Sequence, residues 1–461
     1  MNPLRQKIEQ EIRDRGPIPF SRYMELCLYD PDHGYYSRHA NQFGKAGDFF
    51  TSSDVHAVFG RLLARQFEEM WRVLPPAKDS PENVAREKDS SGKIEIVELG
   101  PGRGLFARDV LDWSEKTFPD FFRTLTYKLV EQSPALRARL TETLSRHLAS
   151  GKASIATSTA AQRRKNADHG ASRGSRPEEW NQAAQRPKNL SPEDSIRETA
   201  RRENTHEKIK TTTVGNCATS VAPSGVQNVE SSAPEVPQII FANEFLDALP
   251  VEILSTKGSL RIDTQNHQFT ETWAPPSPEE LEFLDRYSIH PEEHDRIEVP
   301  LAAQHYAEEI FSRLTKGFAI FIDYGLTRDE QLAGRHRNTL KAIRQHSIST
   351  NPYEAPGEQD LTADVNFTAL AAAAQNHGLQ TYKLLTQSQF LMGIGESTQF
   401  ADAFAECRLP QERAKVALQL KHLVTPAGMG ESFHVLIASK GIEKEKAANL
   451  SGLTFGHNVR S

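Results

Sequence analysis

Glu98 stands two residues ahead of Gly100-Pro101-Gly102-Arg103-Gly104, where the apolar run Ile96 to Leu99 gives way to a helical pattern running from Leu105 to Trp113. Glycines in a turn that closes a strand permit positive φ and let the backbone approach a ligand closely. The spacing separates two classes of adenosine cofactor. A dinucleotide fingerprint is GxGxxG, its last glycine easing helix packing beneath a pyrophosphate. Here the order is GxGxG and position 105 is leucine. The Glu98 carboxylate would repel a pyrophosphate and suits a ligand with an ammonium group and no phosphate, such as S-adenosylmethionine. A tight glycine turn holding no ligand is the plainer alternative.

The remaining polar residues of interest also close apolar runs. Glu131 follows Tyr127 to Val130, where an acidic side chain can accept hydrogen bonds from both hydroxyls of a ribose. Asn243-Glu244-Phe245-Leu246-Asp247 follows Gln238 to Ala242, and Asp323-Tyr324-Gly325 follows Phe318 to Ile322. Asn243 belongs with the cofactor-side residues. Glu244 and Asp247 either open a helix and are favoured by its dipole, or clamp a guanidinium at the mouth of a sheet. Composition does not decide between these, and Asp323 is a third candidate for the same work. Gly47, Asp48, Thr51 and Ser52 precede the strongest helical stripe of the chain. They read either as polar residues around a helix cap or as a receiver for the carboxylate of a methionine. His290 and His294 are four apart, but Pro291 lies between them and HExxH order is absent, so no metal site is expected. Asp360 to Asp364 reads as an Asx-type loop leading into a helix at Phe367, bordering the substrate pocket.

These residues need strands and helices to hold them. Residues 1–75 read as an N-terminal helical region contributing to the cofactor site: Leu4, Ile8 and Ile12 recur at helical spacing up to Gly16-Pro17, Ser21 can cap a second helix to about Leu28, and Phe59, Leu62, Leu63, Phe67, Met70, Trp71 and Leu74 form one stripe. Residues 76–93 are a polar linker, and 94–149 the first half of an α/β core, with Ser133-Pro134 opening a helix that carries Leu136, Leu140 and Leu144. Residues 150–236 are rich in Arg, Lys, Asn, Ser, Thr and Pro. Such a low-complexity insert buries too little to offset its ordering entropy, and disorder is expected. Residues 237–441 form the second half, with a β excursion over 251–273, helix over 279–314 interrupted near His290-Pro291, a helix from Phe367 to His377 and a last strand at Phe433 to Ala438; 442–461 is a flexible tail. Strands alternating with helices predict a mostly parallel sheet covered on both faces, with ligands at the carboxyl ends of its strands.

The whole chain narrows the classes further. Its 461 residues carry 55 Lys and Arg against 61 Asp and Glu, a net charge of -6, so no basic field points to nucleic acid. No apolar run is long enough for a membrane span. Cys27, Cys217 and Cys407 show no CxxC spacing, and Glu9, Glu11 and Asp14 sit where a presequence would be basic; both features suit the cytoplasm.

In their order along the chain, these segments resemble the MidA family of S-adenosylmethionine-dependent methyltransferases. The resemblance is carried by Gly16-Pro17-Ile18-Pro19-Phe20, Tyr29 to Tyr36, Gly47 to Ser52, Glu98 to Gly104, Leu129-Val130-Glu131, Ala242 to Pro250, Asp323-Tyr324-Gly325, Gly357 to Phe367 and Gly393-Ile394-Gly395. It implies a class I, Rossmann-like fold: a seven-stranded, mostly parallel sheet with one antiparallel strand and added helical and β elements. It also implies methylation of an arginine in a protein substrate, for which a subunit of a respiratory complex is one candidate. A non-catalytic S-adenosylmethionine-binding assembly factor and a small-molecule methyltransferase are the alternatives. A nicotinamide-dependent oxidoreductase fits Glu98 and Leu105 poorly.

Overall fold

The computed structural model describes residues 2–37, 57–74, 92–156, 236–344, 347–349 and 351–455. The apolar runs of the sequence become its central sheet. Strands β1 (Ile94–Leu99), β2 (Leu125–Val130), β3 (Ala153–Ala156), β4 (Gln238–Asn243), β5 (Gly317–Leu326), β6 (Gln380–Thr381) and β7 (Phe433–Lys440) lie in the order β3-β2-β1-β4-β5-β7-β6. Neighbours from β3 to β5 pair in parallel, whereas β7 runs antiparallel to β5 and to β6. The expected single reversed strand is therefore β7. Chain order turns back between β1 and β4, the switch point at which open α/β sheets leave a crevice.

Helices α1 (Pro3–Arg15), α2 (Phe20–Tyr29), α3 (Ala57–Val73), α4 (Leu105–Thr117) and α5 (Pro134–Thr143) begin and end near the expected signals. Ser133 caps α5 by accepting from the Leu136 N–H, as its position before Pro134 predicts. The stripe along α3 is buried against α4 and the sheet: Phe67 meets Phe241 edge-on, and Phe106 of α4 stacks on Phe241 at 4.5 Å between centroids.

Several expectations need correction. Ser21 does not cap α2; Pro19 holds that position, and the Ser21 hydroxyl donates to Glu252 instead. Residues 1–75 are not one helical region. Ile18–Pro19 pairs with Gly258–Gln265 in a second, five-stranded sheet that also contains Glu252–Ser255, Gln268–Ala274 and Ile297–Val299. Leu4, Ile8, Phe20, Tyr23 and Met24 bury against Ile253, Leu260 and Ile262 of that sheet, while α3 belongs to the main core. The loop expected at Asp360 to Asp364 opens with a strand, Asp360–Thr362, which pairs with Lys341–Arg344 in a three-stranded sheet completed by Ser347–Ser349. β3 lies inside the stretch assigned to the insert. Its four residues, three of them small, take their place from hydrogen-bond register with β2. Residues 76–91 and 157–235, the rest of the linker and insert, lie outside the described residues. The C-terminal tail is folded at least to residue 455. Ala447 and Leu450 are buried, and the Gly452 N–H donates to Gln66 Oε1 of α3 at 2.9 Å. No described helix is long and apolar enough to cross a membrane.

Phe241→Ala removes the ring on which Phe67 and Phe106 both rest. Urea unfolding should show a loss of about 3–5 kcal/mol, as for other buried aromatic truncations; a loss below about 1 kcal/mol would mean that this cluster does not carry the core.

Candidate functional site

The glycine turn has three glycines with left-handed backbone, Gly100, Gly102 and Gly104 at φ 61°, 54° and 76°. A Cβ on Gly100 would stand 2.5 Å from the Phe245 ring, and one on Gly104 would stand 2.6 Å from Leu140 of α5. Both are pressed by the protein itself. Gly102 has nothing within 4 Å of a built Cβ, so its face is open to a ligand. The Gly100 N–H donates to the Val130 carbonyl, which ties the turn to the end of β2.

Glu98 and Glu131 close the adjacent strands β1 and β2 on either side of that turn. Glu98 is 5 % exposed and accepts from the Tyr127 hydroxyl at 2.9 Å. Burial pushes its carboxyl up to about 8, with the charge of Glu131 adding to the effect. Glu131 is 8 % exposed and accepts from the Ser133 N–H at 2.8 Å. Burial lifts it to about 7 against the pull of the Ser133, Gln132 and Gly102 N–H groups and of Arg137. Neither carboxylate forms an ion pair with a described residue. Two buried acids without an ion pair among the described residues make a site for hydroxyls and for a positively charged group. Those are the groups that S-adenosylmethionine presents through its ribose and its amino end, so the residues present fit this cofactor.

A second acidic group lies beyond β4 and β5. Glu244 has φ 50°, a left-handed conformation uncommon outside glycine, and its N–H donates to the Ile322 carbonyl at 2.9 Å. Asn243 Nδ2 donates to Glu244 Oε1 at 3.0 Å, while Asn243 Oδ1 has no partner among the described residues. Asp323 Oδ2 accepts from the Phe245 and Leu246 N–H groups at 3.1 and 2.9 Å, and Oδ1 from the Tyr324 N–H at 2.9 Å. Expected among the reacting groups, Asp323 is placed as the residue that folds the 244–247 turn. Burial raises its carboxyl well above the usual range, with Asp247 and Glu244 adding to the rise. Asp247 is 8 % exposed. Burial raises it as well, opposed by Lys341 and assisted by Asp364.

Tyrosines that the sequence marked only as part of the Tyr29 to Tyr36 stretch complete the walls. The Tyr29 hydroxyl donates to the Ala248 carbonyl and the Tyr36 hydroxyl to Asp360 Oδ1, and the two rings stack at 5.6 Å. The Ser133 hydroxyl donates to the Tyr36 carbonyl at 2.7 Å, linking this segment to the end of β2. Gly47, Asp48, Thr51 and Ser52 lie outside the described residues. A cavity of about 450 Å³ is lined by Glu271, Arg296, Glu298 and Tyr353 at the second sheet, not at these strand ends. Its main charges, Glu271 and Arg296, already pair in two hydrogen bonds of 2.7 Å.

The elevated Glu98 carboxyl has a consequence for stability. Folded, it holds its proton up to about 8; unfolded, only to the ordinary 4.5. The folded chain therefore binds more protons between those values, and this contribution to stability is lost as pH rises through 8. Calorimetry of the ligand-free protein should show a falling melting temperature from pH 6 to 9 that Glu98→Gln flattens. Parallel profiles for both proteins would contradict the placement of this carboxyl.

Known proteins resemble this chain in sequence and in fold. A family model described as S-adenosyl-L-methionine-dependent methyltransferase matches residues 62–385. The mitochondrial protein arginine methyltransferase NDUFAF7 homolog of Drosophila melanogaster is 25% identical over 461 residues, covering 95% of this chain and 85% of its own. The human protein arginine methyltransferase NDUFAF7 is 25% identical over 459 residues, covering 94% and 82%. A crystal structure from Burkholderia thailandensis bound to S-adenosyl-homocysteine superposes with a TM-score of 0.67 at 23% identity, over 97% of this chain and 94% of that one. That likeness supports the fold of the described residues, and the family match spans most of the main sheet. The chain thus belongs to this family of S-adenosylmethionine-dependent methyltransferases, with the fold and the cofactor that its strand ends are shaped to receive.

Proposed function

We propose that the acceptor is the guanidinium of an arginine in a protein substrate. The observation that carries this reading is the pair Glu244 and Asp247 on one turn at the end of β4, with Asp323 folding that turn from below. The names of the relatives, protein arginine methyltransferases, support it.

S-adenosylmethionine supplies a methyl group on a sulfonium, which carries its own leaving group. The protein's work is then mostly alignment, which can contribute about 7–11 kcal/mol. In this reading the backbone of Gly100, Gly102 and Gly104 admits the cofactor, Glu98 faces its amino group, Glu131 holds the ribose and Asn243 borders it. Gly47, Asp48, Thr51 and Ser52 would complete the cofactor side, where hydroxyls and backbone N–H groups of this segment would meet its carboxylate. Arginine presents a separate problem. Its guanidinium keeps its proton up to a pKa above about 12 and arrives charged and weakly nucleophilic. Glu244 and Asp247 orient it, hold its charge on the nitrogens away from the methyl, and Asp247, whose carboxyl burial raises, takes the proton released on transfer. Asp323 acts through the turn it holds.

Cys27 and Cys407 are free thiols, which suits a reducing compartment, and the cytoplasm is our placement of the protein. A protein partner that offers an exposed arginine, such as a subunit of a respiratory assembly, is the substrate class proposed.

Glu244→Gln keeps the shape of the side chain and removes its charge. With labelled methyl donor and a library of arginine-containing peptides, methylarginine formation should fall by about 10²-fold or more while binding of S-adenosyl-homocysteine is retained. Undiminished turnover would remove Glu244 from the mechanism. Cofactor binding by the wild type with no transfer to any arginine would favour the non-catalytic assembly factor.

A further inference from the structure

Lys341 places a cation among the acceptor-side acids. Its ammonium lies 3.0 Å from Asp364 Oδ1 and 5.3 Å from the centroid of the Tyr324 ring. Its charge also acts on Asp247, the carboxylate proposed to take the proton. Tyr324 in turn lies in the field of Glu244, Asp247, Asp323 and Asp364. An aromatic face with carboxylates at its rim is the arrangement that binds an organic cation.

The seat does not need Lys341 for its shape. His336 Nδ1 lies 3.2 Å from Asp364 Oδ2 and holds the other oxygen of that carboxylate. Tyr324 is fixed in β5, and the Lys341 strand is held by backbone pairing of Lys341 with Thr362 and of Ala342 with Leu361. The Lys341 side chain is 39% exposed while that of Asp364 is 11% exposed, so the ammonium reaches water and the carboxylate stays in place. When the ammonium leaves, His336 remains on Asp364 Oδ2, and the vacated oxygen calls for another cation.

We infer that Lys341 is an internal stand-in for the acceptor cation: it occupies the seat formed by Asp364 and Tyr324 beside Asp247, and a substrate guanidinium must displace it to bind. The identity of the incoming cation rests on the arginine reading above, but the seat does not. Lys341 then sets acceptor affinity and selects for cations that out-compete a single ammonium, which an arginine fork can do through two parallel hydrogen bonds to a carboxylate.

The test is calorimetric titration of the full chain, saturated with S-adenosyl-homocysteine, with N-acetyl-arginine amide, its neutral isostere N-acetyl-citrulline amide, and N-acetyl-lysine amide. Lys341→Met should bind the arginine probe about fivefold more tightly than the wild type, with no gain for citrulline. Lys341→Arg, which restores a resident cation, should show no gain. If Lys341→Met tightens the lysine probe alone, the seat stands and the arginine reading falls. If it tightens neither cation, or weakens the arginine probe, Lys341 is not a stand-in and the inference is overturned. Should Lys341→Met fail to bind S-adenosyl-homocysteine as the wild type does, Lys341→Gln carries the same test.

Discussion

The structure is organised around carboxylates buried at the carboxyl ends of parallel strands. Burial of an ionised acid is unfavourable unless something compensates it. Glu98 and Glu131 are each more than nine-tenths covered and accept from the Tyr127 hydroxyl and the Ser133 N–H. Their carboxyls respond by holding protons into the neutral range. Beyond β4, Asp247 and Asp323 are also buried and raised, with the Lys341 charge opposing the rise at Asp247. Stability is thereby given up at one edge of the sheet, and ligands with hydroxyls and positive charge recover it. The large aromatic core around Phe106 and Phe241 provides the rigid base that tolerates this.

The parts outside the main sheet follow from the same constraint. A row of acids facing bulk water would ionise freely and lose its elevated proton affinity. The α1–α2 hairpin, seated on the second sheet, brings Tyr29 and Tyr36 over the strand ends, and their hydroxyls anchor to Ala248 and Asp360. The three-stranded sheet adds Asp360 and Lys341 from another side. These additions narrow the crevice and shield it, so that electrostatic contacts inside it are stronger than at an open surface.

Much of this was legible in the sequence because it is local. A strand, a glycine turn and a helix occupy consecutive residues, so Glu98, Gly100, Gly102, Gly104 and Glu131 fall at strand ends as soon as the strands are recognised. What escaped depends on distant pairing. Asp323 read as a third candidate for holding the acceptor, and its Oδ2 accepts from the N–H groups of Phe245 and Leu246, which only the parallel register of β4 and β5 brings within reach. The helical region at the N-terminus split because two residues, Ile18 and Pro19, pair with Ile262 and Arg261 across the chain. β3 carried little apolar signal, since Ala153-Ser154-Ile155-Ala156 is short and holds only one large apolar side chain. Ala447 and Leu450, in a polar stretch, gave no hint that they would be buried.

The free protein holds protons on Glu98 and Glu131, and a cationic, ribose-bearing ligand expels them. Calorimetric titration with S-adenosylmethionine at pH 7, repeated in buffers of different ionisation enthalpy, measures that exchange directly. With carboxyls at about 8 and about 7 in the free site, binding should release protons to the buffer, and Glu98→Gln should diminish the release. Binding that moves no protons would contradict the account of the two carboxyls, and absence of binding would contradict the site itself.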